Sequence, residues 1–202
     1  MTEKNQDEKR FALHRLGFEE SEKFQRSLGE LFLTWADTEM WIYRILLHYA
    51  GISEAVGRAL FSGTRAKPLM DMVRNVAINT NIDKSRRDNL DFVFSQIAGI
   101  GTMRDMLAHY GSTSYTWADT FTPQERWLTN AFRVNKYEKT KMYIIGSAHL
   151  VAMLGDLRKA MVYLERHTKK GLTSAAFDER PTWLYKSLQP EDFVARMSRR
   201  DQ

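Results

Sequence analysis

The chain has 202 residues, of which 43% are hydrophobic and none is cysteine, and its net charge is +5. This length suits one domain with appendages, and the absence of cysteine excludes disulfides, thiolate zinc sites and cysteine nucleophiles. The excess of basic residues mildly favours a polyanionic partner.

The N-terminal segment, residues 1–17, is a charged, polar lead-in without the apolar core of a secretory signal. The most apolar later stretch is interrupted by Arg44 and His48, so no run reaches membrane-spanning length. We therefore expect a cytoplasmic protein with no membrane partner.

Three helices are predicted in the first 80 residues. A long helix should span 18–50, and Ser53 should cap a short helix through Phe61. Pro68 suits the first turn of a third helix that ends near Asn79. The apolar residues at helical spacing in the long helix are Leu28, Phe32, Trp35, Ile42 and Leu46.

A fourth helix is predicted from Lys84 to Tyr110, with an apolar stripe that should face another helix. Gly99 and Gly101 lower helix propensity in its middle. Close approach of another helix is the favoured explanation for these glycines, and a functional hinge is the alternative. The stripe consists of Leu90, Phe94, Ile97, Gly101, Arg104 and Ala108.

Residues 112–146 change character and predict a β-hairpin or extended flap inserted in the helical protein. Residues 114–117, 126–134 and 141–145 are rich in strand-forming side chains, and 135–140 is a polar turn.

The last long helix should begin at Ser147 and end near Lys170. A tail over 171–202 follows, with a short helix after Pro190 and an aromatic cluster around Trp183. We expect this cluster to dock on the helices, and a partner-binding peptide is the alternative. The predicted fold class is all-α, an up-and-down bundle of four to five helices across residues 18–170, with a β-hairpin insertion and a C-terminal tail.

The end of the fourth helix combines Arg104, Asp105 and His109, with Gly111 just beyond. A fixed cation, a proton-transfer group and a residue that orients it can cleave a phosphodiester without metal. Asp105 and His109 are four residues apart and can touch, whereas Arg104 and His109 lie about 140° apart around a helix. One straight helix therefore does not bring both to one phosphate, unless the last turn unwinds, long side chains wrap into a shared cleft, or two chains pair.

This stretch resembles the motif of the HEPN superfamily. It has an arginine followed by an acid, then Ala-His near a glycine, at the end of a long helix. The resemblance covers residues 18–170 in architecture, and its specific part is about the eight residues 104–111. Some toxin members carry a tyrosine two places after the histidine, which a partner enzyme modifies. Here Gly111 occupies that place and Tyr110 follows His109 directly, which puts this mode of neutralisation in doubt.

The resemblance implies a metal-independent endoribonuclease, in a toxin–antitoxin or phage-defence context, that uses the RNA 2′-hydroxyl as nucleophile and leaves a cyclic phosphate. It implies that His109 transfers the proton, that Arg104 binds the scissile phosphate and that Asp105 orients them, with Tyr110 in support. It also implies a homodimer with the two motifs facing across the interface, and a possible antitoxin or other protein partner.

Glu39 and three basic residues are further candidates for the site. Glu39 lies on the apolar stripe of the first helix and needs a partner, either in an ion pair with Arg104 or Arg74 or in a supporting role at the active site. The basic residues that begin the fourth helix are expected either to form a solvated face or to contact the RNA backbone. They are Lys84, Arg86 and Arg87.

No metal site or cofactor is expected, because the histidines are scattered and no glycine-rich phosphate loop is present. The alternative functions are a non-catalytic HEPN-like module that binds a nucleotide, RNA or protein, and a helical scaffold in which the arginine and histidine are structural.

Overall fold

A computed structural model describes residues 3–110, 130–136 and 139–186, with side chains for 21–109 and 145–186. This part of the chain is predominantly helical, which confirms the predicted all-α class. The helices are α1 (Glu3–Ala50), α2 (Glu54–Phe61), α3 (Ala66–Asn79), α4 (Lys84–Tyr110) and α5 (Ser147–Arg166), and the strands are β1 (Asn130–Lys136) and β2 (Lys139–Ile145). A 3₁₀ turn, Ser174–Phe177, follows α5.

Helix α1 begins at Glu3 and not at residue 18, so the polar lead-in is mostly helical. Its residues are good helix formers without proline, and Gly17 alone costs only about 1 kcal/mol relative to alanine. Charged residues without an apolar core are therefore compatible with a helix.

The short helices begin and end close to where the sequence predicts. Ser53 is the N-cap of α2, and its side-chain oxygen accepts a hydrogen bond from the backbone N–H of Val56. Gly51 lies between α1 and α2 with φ +65°, a left-handed conformation that glycine adopts without strain. Helix α3 begins at Ala66, which leaves Pro68 in its first turn as expected.

Strands β1 and β2 pair antiparallel within the region where the sequence suggests a hairpin. Asn130 pairs with Ile145, and Lys136 pairs with Lys139. The part of the expected insertion before residue 130 lies outside the described residues, as does the short helix expected after Pro190.

The chain divides into two compact units, to which α1, α4 and α5 all contribute. The described residues of the first unit are 3–31, 102–110, 130–136, 139–152 and 186. Its buried apolar residues include Phe24, Leu31, Met103, Leu107, Ile145 and Leu150. The second unit comprises residues 32–101 and 153–185. Its fully buried side chains include Ile42, Ile45, Leu46, Phe94, Ile97 and Phe177.

Trp35 and Gly101 pack together in the second unit. A Cβ atom on Gly101 would lie 2.6 Å from Cη2 of the Trp35 ring, a distance too short for van der Waals contact. This glycine therefore permits α1 and α4 to approach closely, as the sequence analysis favoured.

A buried polar network holds the C-terminal end of α5. Tyr49 Oη lies 2.7 Å from Nδ1 of His167, and the His167 Nε2 atom lies 3.1 Å from the side-chain oxygen of Asn89. Burial, together with the positive charge of Arg86, lowers the pKa of His167 to about 3. The imidazole is therefore neutral in the folded protein at physiological pH.

The segment around Trp183 docks on α4 and α5, as expected for the aromatic cluster. The fully buried carboxylate of Asp156 accepts hydrogen bonds from the backbone N–H groups of Leu184 and Tyr185 at 2.8–3.0 Å. The Trp183 ring stacks on Phe92 at a centroid distance of 5.7 Å. The backbone N–H groups of this irregular segment are therefore buried together with hydrogen-bond acceptors.

Candidate functional site

The C-terminal end of α4 presents the Arg-Asp-His motif. Up to Gly101 the stripe that the sequence predicts is buried, but Ala108 is exposed and Arg104 is only partly buried. Met103 and Leu107 are buried in their place. The prediction of a stripe through Arg104 and Ala108 is therefore wrong at this end, because the larger apolar side chains of Met103 and Leu107 determine which face is covered.

Arg104 and Asp105 form an ion pair at this end of α4. Nη1 of Arg104 donates to Oδ1 of Asp105 at 2.7 Å. The side chains retain 30% and 58% of their accessible surface, so the pair is partly open to solvent. Such a pair adds little stability, but it restricts the orientation of the guanidinium.

His109 lies in the last turn of α4 and is exposed. Within the described residues, no hydrogen bond or ion pair joins it to Asp105, contrary to the expected contact, because the carboxylate turns to the neighbouring guanidinium. The imidazole of His109 is therefore accessible to a molecule bound at this end of the helix. Tyr110 ends the helix, and its side chain lies outside the described part of the chain.

Glu39 of α1 provides a hydrogen-bond acceptor for the N-terminus of α3. Its Oε1 atom accepts a hydrogen bond from the backbone N–H of Ala66 at 3.2 Å. The alternative of an ion pair with Arg74 does not form, because Arg74 binds Asp71 and Asp91 at 2.9 and 2.7 Å. Arg65 occupies the N-cap position without a side-chain cap, so Glu39 satisfies a donor that would otherwise lack an acceptor.

The basic residues at the start of α4 have different environments. Arg86 donates to the carbonyl oxygen of Leu172 at 2.8 Å and lies over the Phe177 ring at 4.8 Å. It therefore holds the segment after α5 in place. Lys84 is exposed and forms an ion pair with Asp88.

Arg87 lines a groove of about 320 Å³ between α3 and α4, which we call the basic groove. Arg74 and Lys84 also line it, together with the carboxylates of Asp88 and Asp91. Sequence reasoning identified Arg87 and Lys84 from their clustering, but it assigned Arg74 only as a partner for Glu39. One ion pair of Arg74 could have been predicted, because Asp71 lies three residues before it on the same helix.

Among the described residues, no group of three or more histidines, aspartates or glutamates is arranged to hold a metal ion. No helix in the described ranges is both long and apolar enough to cross a membrane.

Comparison of the chain with protein-family models, with curated proteins and with solved structures finds no match.

Proposed function

We propose that this protein is a metal-independent endoribonuclease of the HEPN type, acting in the cytoplasm in a toxin–antitoxin or phage-defence context. The observation that carries the proposal is the placement of Arg104, Asp105 and His109 on accessible surface in the last two turns of α4. A cation held by a carboxylate and an exposed imidazole supply charge stabilisation and proton transfer at one helix end.

In this mechanism His109 removes the proton from the RNA 2′-hydroxyl, and the resulting oxygen attacks the adjacent phosphorus. The bond to the 5′-oxygen of the next nucleotide breaks and leaves a 2′,3′-cyclic phosphate, while the leaving oxygen takes up a proton from water and the imidazolium of His109 returns its proton to the solvent. Arg104 binds the nonbridging phosphate oxygens, on which charge develops, and Asp105 orients the guanidinium. Proton transfer of this kind contributes about 10²–10⁴-fold to the rate.

We infer that two copies of the chain complete the site. Arg104 and His109 lie about 140° apart around one helix, so a second α4 brings an arginine to the histidine of the first. The exposure of Ala108 and His109 leaves this face of the helix open to such a partner. We also propose that residues 112–146 form a hairpin insert that includes the β1–β2 pair, and that an antitoxin or another protein regulates the enzyme.

Incubation of the purified protein with mixed single-stranded RNA in EDTA tests the activity. We expect the wild type to cleave, and His109→Ala and Arg104→Ala each to lose at least about 100-fold in rate, because each removes one of the two chemical functions.

Matched controls separate catalysis from charge and folding. His48→Ala removes another exposed histidine at a helix end, and Arg58→Ala removes another arginine in an exposed ion pair, here with Glu54. Both should cleave at the wild-type rate. Absence of cleavage by the wild type, or equal cleavage by the His109→Ala and wild-type proteins, would falsify the ribonuclease proposal.

The second candidate is a non-catalytic HEPN-like module that binds RNA, a nucleotide or a protein, and the basic groove favours RNA among these. Arg87 lines this groove and has no ion pair among the described residues, whereas Arg74 and Lys84 are paired with carboxylates. An unpaired guanidinium can bind a phosphate without first losing a protein carboxylate.

RNA binding should therefore weaken in Arg87→Ala, and the slope of log affinity against log salt concentration should decrease by about 1, as expected for one lost phosphate contact. Fluorescence anisotropy with a labelled single-stranded RNA measures both. Arg26→Ala, at an exposed position of α1, is the control. An unchanged slope in Arg87→Ala would exclude this groove as an RNA contact.

A further inference from the structure

A second groove lies along the exposed side of α1, next to α2 and the start of α3; we call it the α1 groove. Its volume is about 320 Å³, which is within the range of small-molecule sites. Its apolar lining comes from Met40, Tyr43, Phe61 and Leu69. Met40 retains 50% of its accessible surface, so a large apolar side chain remains in contact with water here.

The charge of the α1 groove is negative. Glu54 and Arg58 line it but neutralise each other through an ion pair, so the carboxylate of Glu39 determines the charge of the lining. Glu39 has no cationic partner in the described part of the chain. One of its oxygens accepts the Ala66 N–H, and a carboxylate can accept about four hydrogen bonds, so most of its capacity remains.

The aromatic lining favours a cation over an anion. The faces of tyrosine and phenylalanine rings attract ammonium groups. The N-terminus of α3 would favour an anion, but Glu39 already occupies it as the acceptor for Ala66.

Tyr43 is held closely in this lining. Its hydroxyl lies 3.5 Å from the carbonyl oxygen of Glu54, and a Cβ atom on Gly57 would lie 2.7 Å from the same hydroxyl. The glycine therefore permits α2 to approach the ring, and the wall of the groove is preformed.

We propose that the α1 groove binds a small organic cation, a protonated primary amine on an apolar body. The ammonium group forms an ion pair with Glu39 and lies against the rings of Tyr43 and Phe61, while the apolar body covers Met40 and Leu69. This binding does not depend on the ribonuclease activity, because none of the residues involved belongs to the Arg-Asp-His motif.

Phenethylamine is the probe, and its neutral analogue 2-phenylethanol is the control ligand. Each is titrated into the full-length protein, and binding is measured by isothermal titration calorimetry, which serves every variant alike. Glu39→Gln keeps an oxygen that can accept the Ala66 N–H but removes the charge. Asp37→Asn, at an exposed position of the same helix that does not line the groove, is the matched control.

We expect saturable binding of phenethylamine to the wild type and to Asp37→Asn, at least about tenfold tighter than binding of 2-phenylethanol. Glu39→Gln should lose this preference. Met40→Lys places an ammonium group in the groove at a half-exposed position, so this variant should bind neither ligand. It replaces Glu39→Gln as the test if Glu39→Gln does not fold. The absence of saturable binding, equal affinity for the amine and the alcohol, or wild-type binding by Glu39→Gln or Met40→Lys overturns the proposal.

Discussion

Arg86 and Arg87 are neighbours in the sequence, yet their guanidinium groups have different roles. Arg86 donates to Leu172 and lies over Phe177, so it stabilises the segment that follows α5. Arg87 lines the basic groove instead. Replacing Arg86 should therefore lower stability, whereas replacing Arg87 should affect RNA binding alone, which makes Arg87 the informative position for testing contact with RNA.

His167 makes the stability of the protein sensitive to acid. Its pKa is about 3 in the folded protein because of burial, whereas the imidazole of the unfolded chain binds a proton below about pH 6.5. The free energy of unfolding should therefore be highest above pH 6.5 and fall as the pH decreases towards 3. Between pH 7 and pH 5 we expect a loss of about 1–2 kcal/mol.

Urea unfolding at the two pH values measures this loss, with His167→Gln as the comparison. The glutamine cannot be protonated, so its free energy of unfolding should change less over the same range. Equal losses in the wild type and in His167→Gln would mean that another group is responsible.

At single residues the sequence indicates which side chains can do chemistry, but not which partners they contact. Asp105 is four residues before His109, and it could have paired with either neighbour; the guanidinium of Arg104 is the one it binds. Glu39 was expected either to form an ion pair with Arg104 or Arg74 or to support the active site, but the partner it has is the backbone N–H of Ala66. Such partners depend on tertiary neighbours, here the start of α3, that helical spacing does not specify.

At the scale of elements, α4 has the bounds that the sequence predicts, Lys84 to Tyr110, because the helical spacing of its apolar residues is a local signal. Helix α1 starts earlier than predicted. Its polar N-terminal part has no apolar stripe, so no periodicity distinguishes it from an irregular polar segment. The residues that α4 buries near its end also differ from the prediction. Burial there depends on what packs against Met103 and Leu107, and periodicity alone does not supply that information.

Replacing each of two helical glycines with alanine should change the free energy of unfolding in opposite directions. Gly101→Ala places a methyl group 2.6 Å from the Trp35 ring, and overpacking of this kind costs about 1–3 kcal/mol, which exceeds the gain in helix propensity. Gly29→Ala meets no atom within 4 Å and should stabilise α1 by up to about 1 kcal/mol. Urea unfolding of both variants gives the two signs. Stabilisation by Gly101→Ala would show that the Trp35 ring moves aside without cost.

At the scale of the whole molecule, the candidate site belongs to one compact unit and the two grooves belong to the other. The sequence predicts the helical class of both units, because amphipathic periodicity is strong in α2, α3 and α5. It does not predict the division itself, since long helices contribute to both units without a linker or a change in composition.

A homodimer with a composite site makes a quantitative prediction for mixed variants. Arg104→Ala and His109→Ala should each be inactive alone, but a mixed dimer contains one site with both residues intact. After random exchange of subunits, cleavage should recover to about a quarter of the wild-type rate. The same mixture without subunit exchange is the control. No recovery after verified exchange would contradict a site shared between chains.

The chemistry of the RNA ends tests the central claim most directly. RNA is incubated in EDTA with the wild type or with His109→Ala, and the 3′ ends of the fragments are identified by mass spectrometry. Attack by the 2′-hydroxyl predicts 2′,3′-cyclic phosphate ends with the wild type, no fragments with His109→Ala, and no cleavage of RNA carrying 2′-O-methyl groups. Fragments with 3′-hydroxyl ends, or identical fragments from both proteins, would contradict it.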